Sequence, residues 1–155
     1  MRTRRDLLSS SAKVAAMLAA IGMLPTFAHA QATAYNATAF EAKTIPELMK
    51  ALGAGNPVES KDVTLTGPDI AENGAVVPVG AATALPGVKR MLLLVEKNPS
   101  MLTASFDVTD AIDANFSTRV KMGQTSNVFA VAMMNDGKVL FAQKEIKVTL
   151  GGCGG

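Results

Sequence analysis

Histidine and cysteine, the side chains on which most nucleophilic and metal chemistry depends, each occur once in this sequence, as His29 and Cys153. Tryptophan is absent, and Tyr35 is the only tyrosine. One cysteine cannot form a disulfide within its own chain, and one cysteine with one histidine excludes the usual zinc patterns. The long apolar runs of a membrane protein are missing too. The most apolar stretch near the N-terminus, Val14 to Leu24, falls short of the ~20 residues that span a bilayer.

That stretch has a different reading. It follows paired arginines, Arg4 and Arg5, and precedes a small-x-small site at Ala28-His29-Ala30. This is the layout of an export signal of the twin-arginine type, with cleavage expected after Ala30 and no stable membrane insertion. The expected destination is the periplasm. Removal of residues 1–30 takes Arg2, Arg4, Arg5 and Lys13 against Asp6 alone, so eleven basic and twelve acidic side chains remain. The positive charge of the full chain therefore belongs to the signal, and nucleic-acid binding loses its electrostatic support. His29 leaves as well. Without it neither a Ser-His-Asp nor a Cys-His pair is available, and no metal or other cofactor is expected.

The remaining residues suit one domain. Residues 31–37 read as a linker, 38–150 as the folded domain and 151–155 as a tail. In residues 41–55, Ile45, Leu48, Met49 and Leu52 recur at helical spacing. Thr44 is placed to cap this helix, Pro46 suits its first turn, Glu47 completes a capping box, and Gly53 or Gly55 ends it. Beyond it the period changes to two. Short β-rich stretches cover residues 61–67, 75–80, 90–97, 103–109, 118–123, 127–134, 138–143 and 145–150. Turn signals such as Asn73-Gly74 and Asp136-Gly137 separate them. Seven or eight strands predict a mainly β fold, an antiparallel immunoglobulin-like sandwich with one N-terminal amphipathic helix. A small barrel is the other arrangement these strands allow.

The chain ends in KVTLGGCGG. Ile146, Val148 and Leu150 alternate with Lys147 and Thr149, so the apolar set is expected to lock the last strand into the sandwich. Order is expected to stop at Gly151, leaving a thin, flexible arm of Gly151, Gly152, Cys153, Gly154 and Gly155. Three uses of the thiol compete: an intermolecular disulfide or no role, a lipid attachment, and covalent carriage of a substrate between enzymes. Prenylation requires the cysteine fourth from the end, and Cys153 is third. The four glycines favour carriage, since they add no packing but minimise the cross-section of an arm. No cation in the tail activates the thiol, which suits a passenger better than a catalyst.

The tail VTLGGCGG resembles the C-terminus of the SoxY family, the sulfur-carrying subunits of thiosulfate oxidation. The stretches IAENGAVVPV, VEKNPSMLTASFDVT and FSTRVKMGQTSNVFAVAMMNDG are similar too, so the resemblance covers roughly residues 38 to 155. It implies that Cys153 is the substrate attachment site, carrying covalent sulfur intermediates, and that the protein is a substrate of enzymes and not itself one. It also implies a heterodimer or higher oligomer with a SoxZ-like subunit, and transient contacts with SoxAX, SoxB and SoxCD-like enzymes. The alternative is a structural or adhesive exported sandwich whose tail cysteine only crosslinks copies.

Smaller features have plainer readings. Met133 and Met134 read as core or interface filler, and Glu72-Asn73 as turn chemistry before partner contact. Arg119 is assigned equally to an ion pair or a partner. The run Leu92 to Val95 reads as a strand buried on both faces or as one covered by a SoxZ-like subunit. With the paired methionines, it suggests an apolar face left open in a monomer.

Overall fold

The computed structural model describes residues 36–150. Two short helices lead into a sandwich of two sheets. Helix α1 (Ala37–Glu41) is capped by the Asn36 side chain, which accepts from the Ala39 amide at 3.0 Å. Helix α2 (Ile45–Ala51) begins as its sequence predicts. The Thr44 hydroxyl accepts from the Glu47 amide at 3.3 Å, and Pro46 lies in the first turn. Glu47 returns its carboxylate to the Lys43 amide at 3.0 Å, one residue before the cap. Gly53, at φ 63°, carries the chain away in the left-handed region that a side chain would disfavour.

The strands are β1 (Pro57–Glu59), β2 (Val63–Thr66), β3 (Ile70–Ala71), β4 (Val77–Thr83), β5 (Val88–Val95), β6 (Leu102–Asp107), β7 (Asn115–Val120), β8 (Ser126–Met134) and β9 (Val139–Val148). The larger sheet runs β1-β9-β8-β5-β6, with β3 also on β9, and the smaller sheet runs β2-β4-β7. Strand β2 lies over β8 and β9, and β4 over β5 and β8. Phe106 of β6 and Phe116 of β7 stack with centroids 4.5 Å apart, joining the two sheets at that side.

The larger sheet is buried on both faces, and β5 shows why its sequence is a continuous apolar run. Met91, Leu93 and Val95 enter the core between the sheets, with Val128, Ala130 and Ala132 of β8 and Val77, Val79 and Ala81 of β4. Leu92 and Leu94 enter a second core on the other face, with Phe129 and Val131 of β8 and Ala39, Leu48 and Met49 of the helices. All five residues from Met91 to Val95 are 0% exposed. Each such side chain contributes about 1.5–3 kcal/mol by leaving water. Ser100 fastens the helical cap to the β5–β6 connection by donating to the Phe40 carbonyl at 2.7 Å. The Lys43 ammonium donates to the carbonyl of Pro99 there as well.

Several expectations change. Of the two readings of Leu92 to Val95, burial on both faces holds: the helices cover Leu92 and Leu94 and the smaller sheet covers Leu93 and Val95, so the run supplies no open face for a partner. Met133 packs into the helix-side core and Met134 against the inter-sheet core. A second helix, α1, occupies residues placed partly in the linker; five residues are too few to show a period. The two stretches expected at 138–143 and 145–150 fall on one strand, β9, because Lys144 between them keeps pairing with Val128. Strands β1 and β3 are too short to show alternation, and both pair parallel with β9 in an otherwise antiparallel fold. Asn73-Gly74 closes no hairpin, since β3 and β4 belong to different sheets and Gly74 lacks the positive φ of such a turn.

Candidate functional site

Cys153, with Gly151, Gly152, Gly154 and Gly155, lies outside the described residues, as do Arg4 and Arg5 of the export signal. What the structure describes is the end of strand β9 and the chain up to Leu150, three positions before Cys153. Strand β9 is paired with β8 along its length as far as Ile146, which faces Ser126, the first residue of β8. Past Ile146 the antiparallel neighbour ends, yet the backbone stays hydrogen-bonded for four more residues.

The bonds come from both sides. On the side away from β8, the chain from Gly67 to Gly74 wraps along the strand. The Lys147 amide donates to the Asp69 carbonyl at 3.0 Å, and the Thr149 amide to the Ala71 carbonyl at 3.1 Å. The Thr149 hydroxyl donates to the Glu72 carbonyl at 3.0 Å. The Gly74 amide donates to the carbonyl of Leu150 at 2.8 Å. On the β8 side, the Thr125 hydroxyl takes the place of a missing ladder carbonyl and accepts from the Val148 amide at 2.9 Å.

The wrapping segment is itself anchored. The Lys144 ammonium donates to the Gly67 carbonyl at 2.7 Å and pairs with the Asp69 carboxylate at 2.8 Å. That hydrogen bond and the lysine's charge hold the Asp69 carboxyl below its usual range. Gly67 sits close against Ile146, where an added methyl would lie 3.1 Å from the Ile146 Cδ1. At the far end, the Met122 amide donates to the Gly74 carbonyl at 2.7 Å.

Side-chain burial does little here. Val148 is half-buried and packs against the core, but Leu150, expected to help lock the strand, is 65% exposed. Ile70 and Val76, on either side of the wrapping turn, are exposed as well. A hydrogen bond of this kind contributes about 1 kcal/mol net, while ordering one residue costs about 1–2 kcal/mol. Five bonds against four residues place this segment near balance.

The predicted minor sites resolve separately. Asn73 does turn chemistry, accepting from the Ala75 amide at 2.8 Å. Glu72 contributes through its backbone, which no residue type signals. Arg119 is exposed on the edge strand β7 and makes no ion pair among the described residues. Among those residues no group of three or more His, Cys, Asp or Glu could hold a metal ion, and no helix is long and apolar enough to cross a membrane. A cleft of about 590 Å³ is lined by Thr83, Pro86, Val108, Asp110 and Asp113. It lies at the opposite end of the sandwich, beyond the end of β4 and the start of β5.

The family model described as "Sulfur oxidation protein SoxY" matches residues 48–153, from α2 through the sandwich to Cys153. The chain belongs to the SoxY family. Among solved structures it is similar to the sulfur carrier protein SoxY from Chlorobium limicola f thiosulfatophilum. The two are 35% identical, the match covers 70% of this chain and 97% of the other, and the TM-score is 0.62. A superoxide reductase (neelaredoxin) from Ignicoccus hospitalis is similar at 15% identity and a TM-score of 0.50, over 56% of this chain and 79% of that one. This second similarity shows the immunoglobulin-like fold that a SoxY protein shares with it, and no more. No curated protein matches the chain.

Proposed function

We propose that this SoxY-family protein carries sulfur covalently on the thiol of Cys153 during the oxidation of thiosulfate in the periplasm. The observation that carries the reading is the extent of the family match, which runs to the chain's only cysteine. The ordered strand β9 delivers the tail to a defined place on the surface. The glycines around Cys153 add no side chains that would obstruct a narrow channel.

The chemistry balances as a cycle on one sulfur. A haem enzyme of the SoxAX type joins the Cys153 thiol to thiosulfate, forming an S–S bond with release of one proton and with two electrons passed, one at a time, through that enzyme to its electron acceptors. A SoxB-type hydrolase then adds water across the terminal S–S bond of the thiosulfonate. Sulfate leaves with two protons, and a persulfide anion stays on Cys153. SoxCD-type enzymes would oxidise that sulfur further. The carrier supplies the attachment atom and its position, while activation comes from the enzymes. A SoxZ-like subunit completes the carrier, and the twin-arginine signal suits export of two subunits already folded together.

Intact mass spectrometry of the protein from thiosulfate-grown cells tests this. Reducible adducts of added sulfur and sulfonate on the peptide containing Cys153 are the expected result. A free thiol together with a plain disulfide dimer, and nothing else, would leave the tail a crosslink and overturn the proposal.

A further inference from the structure

We infer that the segment Gly67–Gly74, with Thr125, is a clasp that sets the reach of the sulfur-bearing arm. Thr149, Thr125 and Gly74 are its positioning residues. The inference rests on the carrier reading of Cys153 and adds a part to it that neither the fold nor the cysteine requires.

The chain of strand β9 could have left the body four residues earlier, at Ile146. Its pairing with β8 stops at Ile146, and a tether starting there would have seven residues to the thiol. The clasp moves the start to Leu150 and leaves three. At 3.3–3.6 Å per residue the maximum reach falls from about 24 Å to about 10 Å. Of the five hydrogen bonds, two belong to the short parallel β3–β9 ladder, and three are not sheet pairing. One is a threonine hydroxyl standing in for a ladder carbonyl, one is a threonine hydroxyl on a turn carbonyl, and one is the Gly74 amide on the last described residue, Leu150. Apolar burial here is limited to Ala71 and the half-buried Val148, since Leu150 is exposed. The clasp is thus made of polar contacts near energetic balance, and the loss of two opens it.

A shorter tether concentrates the thiol at the mouth of a docked enzyme. Effective concentration falls roughly as the −3/2 power of tether length, so releasing the clasp lowers it about three- to fourfold. The rest of the described surface is unchanged, so docking made there would be unaffected. The signature is therefore a lower kcat at unchanged KM for the carrier.

The test uses the exported chain as purified, with the subunits that accompany it. The double variant Thr125→Val, Thr149→Val removes both hydroxyls and keeps the β-branched shape. Amide exchange at Lys147, Val148 and Thr149 is expected to quicken at least tenfold, while Ala130 to Ala132 in β8 keep their protection and report an intact core. Nitroxide labels at Cys153 and at Lys61→Cys should show the outer limit of their separation growing by up to about 14 Å. Turnover with the partner enzymes should lose three- to fourfold in kcat, with KM unchanged. Gly74→Pro, which removes the amide that holds Leu150, repeats the test from the wrapping segment. Wild-type amides at 147–149 already exchanging freely would overturn the clasp. So would an unchanged separation, or an unchanged kcat once the clasp is open. If Cys153→Ser retains full turnover, the carrier reading fails instead, and exchange and separation still judge the clasp.

Discussion

Strand β5 and the end of β9 lie in the same sheet and are held in opposite ways. From Met91 to Val95 every side chain of β5 is withdrawn from water, alternately into the inter-sheet core and the helix-side core. From Lys147 to Leu150 the chain is held by backbone amides, two threonine hydroxyls and one glycine. The first arrangement contributes free energy through apolar area and is indifferent to the position of any single polar atom. The second contributes little net free energy but specifies where the chain leaves the body. Stability and placement are thereby assigned to different residues, so each can be damaged without the other.

The strongest test of that separation is Cys153→Ser. Turnover of thiosulfate in a reconstituted system should be abolished, while the thermal midpoint stays within about 3 °C, because a terminal surface side chain contributes little to the core. A markedly lower midpoint would make the cysteine structural and dissolve the contrast. The reverse experiment is Leu93→Ala. It should cost about 2–5 kcal/mol in denaturant unfolding through lost burial and the cavity left behind, with turnover per folded molecule unchanged. A turnover defect without a stability defect would show that β5 communicates with the site.

Smaller effects sharpen the comparison. Gly152→Val widens the arm and restricts its backbone. Alkylation of Cys153 by a small reagent should proceed at close to the wild-type rate, while turnover by the partner enzymes falls about tenfold or more, as a clash above ~1.4 kcal/mol requires. Wild-type turnover would remove the channel-threading explanation of the glycines. The least effect is expected from acid. The Asp69 carboxyl has a lowered pKa in the folded protein, so its pairing with Lys144 is present above the ordinary carboxylate range. It is lost as pH falls through the lowered value, below about pH 4. In that window exchange at the Lys147 amide should quicken modestly, and Asp69→Asn should remove the pH dependence. An identical profile in the variant would mean that the ion pair does not support the clasp.

What could be read in advance follows from physical range. The cap of α2 was legible because its chemistry is local: Thr44, Pro46 and Glu47 act within one turn. The core strands were legible because alternation, or a run buried on both faces, survives in the sequence. Strands β1 and β3 were not, since two or three residues carry no period and their parallel pairing with β9 depends on residues some eighty positions away. The clasp was hidden for the same reason. Thr125, Thr149 and Gly74 are ordinary residue types, and their roles exist only because β9 outlasts β8.

The sequence by itself determined that the protein carries one thiol, Cys153, with two glycines on either side that add no side chain. It also determined that no histidine remains beyond residue 29 to activate that thiol. Those are matters of composition and order, and folding cannot alter them. Only the tertiary structure decided which face covers Leu92 and Leu94, and where on the surface the tail begins. Both depend on segments distant in sequence meeting in space, with the helices closing over the larger sheet and the Gly67–Gly74 segment closing over the end of β9. A hydrogen bond acts over about 3 Å, and which groups come within that distance is settled by the packing of the sheets.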